Sequence, residues 1–283
     1  MDKLQRIFRG FWGTTPGDLD SVMSLLIPSI ASGRISDATA HISKVKHSAQ
    51  AYNPYYVKYY ELTDKDLPDN SVAVIRLEGM LYSWESDWVM DCIDRIEANK
   101  NICGLVIAID GPGGMISHLE GAAAAIRAMK KPTATVCTGM MASAHFWLGT
   151  CADRIYCATE LCEIGSVGII TQVQDFSEYY KRLGIKVAEI YADQSDLKNH
   201  AYRLYAEKGD PSELKEKADK LCEIFCSQVA ENLNIKYDPA LPLFRGQTFF
   251  AADALQLGYI DQIAGVPEAV RWVLAKAITN QMK

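Results

Sequence analysis

The stretch Asn101-Ile-Cys-Gly-Leu-Val-Ile-Ala-Ile-Asp-Gly-Pro-Gly-Gly114 joins nine mostly apolar residues to an acidic residue and a glycine-rich run. Ile102 to Ile109 is continuous rather than alternating. Such a run suits a strand buried on both faces, as in a parallel sheet covered by helices. Gly111-Pro112-Gly113-Gly114 is then expected to break the chain sharply.

The flanking sequence agrees with that reading. Upstream, VAVIRLE (72–78) reads as a strand and WESDWVMDCIDRIEANK (84–100) as a helix, with Trp88, Val89, Cys92, Ile93 and Ile96 on one face. Downstream, Ser117-His118-Leu119-Glu120 has the spacing of a capping box. A helix should follow to Lys130-Lys131-Pro132, then a strand over 133–139 and a turn at Gly139. Further strands are expected near 154–158, 163–170 and 186–191. Helices are expected over 174–184, from Pro211 with Asp210 as its N-cap, over 251–257 and near 267–278. This β-α-β order predicts an α/β domain with a parallel sheet and right-handed crossovers. The division expected is an N-terminal helical and loop arm over 1–68 and an α/β domain over 69–283. The Tyr-rich stretch AYNPYYVKYYELT near the end of that arm reads as a docking surface or as part of a disordered leader.

Composition narrows the function. The chain has 283 residues, 49% of them hydrophobic and 23% charged, with a formal charge of −6. That supports a sizeable core and argues against nucleic acid as a partner. Eight cysteines lie mostly in apolar runs without a C-x-x-C pair. They read as reduced core thiols, and neither a metal nor a cofactor is implied. No apolar run has the length of a membrane span, so a soluble, cytoplasmic protein without a membrane anchor is expected.

Chemistry centres on Ser143 in Gly139-Met-Met-Ala-Ser-Ala-His-Phe-Trp147. It is the one hydroxyl in a small, apolar setting. It is either bonded to a nearby carbonyl or held as a nucleophile. It should begin a helix beside the strand end that carries GPGG, where open α/β sheets gather their sites. The glycine run could present backbone N–H groups to an oxyanion or a phosphate, or simply make a turn. His145 is too near in sequence to share a helix face with Ser143, and His118 has no evident acidic partner. A Ser-His-Asp triad is therefore poorly supported. Lys198, Lys181 and Lys186 are the lysines to weigh as a base.

Three blocks together resemble the S49 serine peptidases, the family of signal peptide peptidase A and the phage prohead proteases. They are AIDGPGG (108–114), MMASAHFWLGTCADRIYCA (140–158) and GSVGII (165–170). The resemblance implies a Clp-protease/crotonase-like superhelix of β-α-β units. It also implies a serine endopeptidase with a Ser-Lys dyad, Ser143 as nucleophile and Lys198 as base. The oxyanion would be held by backbone N–H groups of Gly113 or Gly114 and of Ala144. Met140 and Met141 would line substrate subsites. Homo-oligomers, with serine and lysine from adjacent protomers, are implied as well. The expected role is capsid maturation in the bacterial host cytoplasm or phage prohead, acting on capsid and scaffold proteins. The alternatives are a cytosolic signal-peptide-remnant peptidase and an inactive assembly scaffold. A crotonase-type acyl-CoA enzyme would not need the serine. Two local departures stand out: Gly111 replaces the family's serine, and ADQSDLKN around Lys198 lacks the usual flanking residues.

Overall fold

The computed structural model describes residues 12–13, 47–55, 58–173 and 177–282. Its strands are β1 (Trp12–Gly13), β2 (Ser48–Asn53), β3 (Lys58–Glu61), β4 (Ser71–Leu81), β5 (Ile102–Met115), β6 (Thr133–Ala142), β7 (Ile155–Cys157), β8 (Glu163–Gly165), β9 (Thr248–Phe250) and β10 (Gln262–Ile263). Its helices are α1 (Ser83–Ala98), α2 (Leu119–Arg127), α3 (Ala144–Thr150), α4 (Ser177–Arg182), α5 (His200–Lys208), α6 (Ser212–Asn232), α7 (Ala251–Gln256) and α8 (Val266–Gln281).

The sheet runs β10-β7-β6-β5-β4-β2-β3. The five strands from β10 to β4 are parallel, and β2 and β3 close one edge antiparallel. β8 continues beside the end of β6, with β9 antiparallel on it. This is the α/β class expected from the element order.

Alternation along the central strands separates two apolar layers. Ala73, Ile75, Leu77, Leu105, Ile107 and Ile109 face α1, α2 and α3. Val72, Val74, Val106, Ala134 and Val136 face Ala269, Val270 and Val273 of α8. Both faces are covered, so the strands read as continuous apolar runs. Trp147 of α3 stacks on Phe225 of α6, with ring centroids 4.8 Å apart.

Four local expectations change. GPGG does not break the chain, because β5 runs through it to Met115. A Cβ on Gly111 would strike the Gly79 carbonyl, and one on Gly114 the Leu81 carbonyl. These glycines allow close strand contact rather than a turn. β6 likewise passes through Gly139, where a Cβ would meet the Asp110 carboxylate at 2.5–2.9 Å. Ser117 is not a cap: His118, at φ 66°, precedes α2 without a side-chain cap bond. Residues 186–191 form no strand, since 177–190 are exposed throughout and the described sheet offers them no partner.

The Tyr-rich stretch adds an edge hairpin to the sheet. Tyr52 of β2 packs on Tyr59 of β3 at 5.0 Å, and Ala51 is fully buried. The remaining expectations for the arm, over 1–11 and 14–46, lie outside the described residues.

Gly104 sets the distance between β5 and α8. A Cβ there would strike Val273 Cγ1 and approach the Pro132 carbonyl at 2.6 Å. Gly104→Val is therefore expected to lower stability by about 1–3 kcal/mol through overpacking. Urea denaturation checks this, and an unchanged midpoint would count against this packing.

Candidate functional site

Three separate segments meet at the end of β6. Strand pairing sets Gly111 opposite Met141, and Ala142 opposite Gly165. The chain then turns at Ser143, whose N–H donates to the Gly165 carbonyl at 2.7 Å. The Ser143 carbonyl accepts the N–H of Trp147 at 2.9 Å, which starts α3. This junction holds Ser143 at φ 53°, ψ −119°, an unfavourable conformation for a residue with a Cβ.

Ser143 is fully buried, and its Oγ has no hydrogen-bond partner. The hydroxyl neither caps α3 nor bonds to a carbonyl. An unpaired buried hydroxyl costs free energy, so its retention on a strained turn needs a chemical reason. The following residue, Ala144, is also fully buried.

His145 organises the opposite wall. Its Nδ1 accepts the N–H of Gly113 at 3.0 Å, so the ring proton sits on Nε2. A Cβ on Gly111 would meet His145 Cε1 at 2.6 Å and Nδ1 at 2.9 Å. That contact leaves no room for a side chain at 111. Gly113 itself adopts φ 109°, open only to glycine at low cost. Its N–H is thus engaged by His145 in this arrangement. Burial, assisted by the charge of nearby His47, lowers the His145 pKa from 6.5 to about 3. His47 stacks on Trp88 at 5.7 Å and lies 3.6 Å from Glu85 Oε1. Glu85 Oε2 accepts the N–H of Tyr82 at 2.9 Å.

The other singled-out residues sort by position. Asp110 Oδ1 accepts the N–H of Met140 at 2.9 Å, and Asp153 Oδ2 accepts that of Thr133 at 2.8 Å. Both are structural. Met141 is fully buried and packs its sulfur on Gly149, so it cannot line an open subsite, whereas Met140 is half-buried. His118 does have an acid, Asp87, with Nδ1 and Oδ1 2.7 Å apart. Sequence spacing missed that pair because its members lie on different elements. The cysteines are free, six buried and two half-buried. Among the described residues no three His, Cys, Asp or Glu side chains form a metal-binding group.

Lys198 stands apart. It is exposed, just after the short 3-10 helix Asp193–Ser195, and its N–H donates to the Ser195 carbonyl at 3.0 Å. No hydrogen bond joins it to Ser143. The same segment exposes Leu183, Ile185, Val187, Ile190 and Leu197. Lys181 and Lys186 are exposed as well.

The model of peptidase family S49 matches residues 125–279, more than half of the chain, including Ser143, GSVG and Lys198. Protease 4 of Haemophilus influenzae is 24% identical over 281 residues, covering 93% of this chain and 42% of its own. The head-tail preconnector protein GP5 of Enterobacteria phage P21 is 23% identical over 224 residues, covering 77% of this chain and 44% of its own. The chain thus spans about half the length of the curated relatives it matches. A solved structure of an enoyl-CoA hydratase/isomerase family member aligns at 17% identity and a TM-score of 0.38, covering 76% of this chain and 74% of its own. That likeness is too loose to bear on the assignment.

The neutral His145 makes stability depend on pH. The unfolded chain takes up a proton near pH 6.5, while the folded chain resists it until about pH 3. Stability from this residue is present above pH 6.5 and is lost as pH falls through that window. The urea midpoint should drop between pH 7 and pH 5, and His145→Gln should show a smaller drop. Equal drops in both proteins would contradict the buried neutral ring.

Proposed function

The chain belongs to peptidase family S49, and from that premise we propose that it is a serine endopeptidase with a Ser143-Lys198 dyad. One observation carries the reading. Segments far apart in sequence converge on a strained, fully buried serine whose hydroxyl has no partner.

In this reading Ser143 Oγ attacks the carbonyl carbon of an extended peptide. Its proton passes to a neutral Lys198 amine. The carbonyl electrons move to oxygen, and backbone N–H groups of Ala144 and Gly114 stabilise the oxyanion. Gly113 joins them only if it leaves His145. Collapse of the tetrahedral intermediate expels the amine, which takes the proton back from lysine. Water then hydrolyses the acyl-enzyme by the same route.

Lys198 reaches a serine in a second copy of the chain. Its segment lies outside the core and exposes five large aliphatic side chains. Covering them with another protomer would remove their contact with water and desolvate the lysine, which favours its neutral form. Homo-oligomerisation therefore completes the site. The substrates proposed are capsid and scaffold proteins in a host cytoplasm or prohead. The likeness to a phage head-tail preconnector protein, which covers 77% of this chain, supports that choice over signal-peptide remnants. The exposure of Lys198 and the lack of any hydrogen bond from it to the buried Ser143 hydroxyl favour one second reading, an assembly scaffold without chemistry.

Casein digestion by wild type, Ser143→Ala, Lys198→Ala and an equimolar mixture of the two variants separates these readings. Each variant alone should lose at least about 10³-fold in rate. The mixture, co-refolded, should recover a measurable fraction, because a mixed oligomer holds intact sites. An inert mixture would exclude sharing between protomers. An inert, correctly assembled wild type, also inert toward co-expressed capsid and scaffold proteins, would favour the scaffold.

A further inference from the structure

The end of β5 carries a second neighbour that the sheet does not need. β4 occupies one edge of β5 as far as the Leu81–Gly114 pair. β6 occupies the other edge only as far as Gly111–Met141, then turns away to Ser143. Beyond that point β1 pairs antiparallel with β5, Trp12 opposite Met115 and Gly13 opposite Gly114. A strand has two edges, and β4 already holds one at Gly114. β1 therefore lies on the edge vacated by β6, the edge that leads to Ser143.

This edge is where an extended peptide would add a strand and bring its carbonyl to the serine. Its occupant here is the chain's own N-terminal segment. Gly114, one of the proposed oxyanion donors, is directly engaged in the pairing. Ser143 has no exposed surface in the same structure. We propose that Trp12–Gly13 is an autoinhibitory strand, bound in place of substrate, which must leave β5 before an external polypeptide can enter. This rests on the peptidase reading above. The device is intramolecular, so a peptide at high local concentration blocks the site until displaced. Among the described residues the ladder spans Trp12 and Gly13, short enough to be displaced by a longer substrate strand.

The test uses the full-length chain with both residues replaced, Trp12→Pro/Gly13→Pro. Proline removes the N–H at both register positions, so the ladder fails whichever residue donates. Hydrogen exchange of residues 111–117 reads the pairing, and fluorophosphonate labelling of Ser143 reads access. Both should speed up several-fold in the variant. A synthetic peptide of residues 8–18, FRGFWGTTPGD, should slow labelling of the variant again, and a scrambled peptide should not. That rescue also shows that the variant is folded. Unchanged exchange would mean that β1 does not hold this edge. Faster exchange with Ser143 labelled at the same measurable rate in both proteins would mean that it does not guard the serine. Either result overturns the proposal. Failure of the peptidase reading looks different: Ser143 stays unlabelled in both proteins and casein stays intact, whatever the exchange.

Discussion

The hydrogen bond from Ser143 N–H to the Gly165 carbonyl ties the site to the sheet. It extends the β6–β8 ladder by one step and fixes where the chain leaves β6 for α3. A serine at positive φ would otherwise relax into ordinary helix or strand geometry. Here the ladder on one side and the first helical bond to Trp147 on the other hold it in place. The strain is maintained by the surrounding packing, as is usual where a reactive side chain must be presented on a rigid backbone.

Glycine makes that packing possible by removing volume. Gly104 admits α8, Gly111 admits the His145 ring, and Gly114 lets β5 lie against the Leu81 carbonyl. The His145 ring then holds the Gly113 N–H, so the glycine run is ordered by a side chain two residues beyond the serine. Because the ring is buried and neutral, it can accept that N–H without bringing a charge to the serine. Glycine at 111 and the ring of His145 beside it are two sides of one steric fact.

The molecule divides by how its apolar surface is used. The central sheet and its helices bury theirs on both faces. The segment around α4 and Lys198 leaves its own in water. The opposite arrangement holds at the N-terminus, where β1 reaches back to the centre of the sheet.

The sequence by itself determined the parallel α/β core, because Val72–Leu77, Ile102–Ile109 and the periodic helices carry their burial pattern locally. Together with the family resemblance, it also singled out Ser143 and the two glycine-containing blocks around it, since a lone hydroxyl among small residues is a local feature. Only the tertiary structure decided that GPGG is strand rather than turn, because a glycine's reason lies in the atom across from it, here Gly79, Leu81 or His145. It alone paired Asp87 with His118, and withheld a strand from residues 186–191 for want of a partner. That Ser143 is buried without a hydrogen bond while Lys198 is exposed was equally invisible. Fifty-four intervening residues fix a contour length, not a contact, and burial of one group with exposure of the other is a property of the whole packed chain.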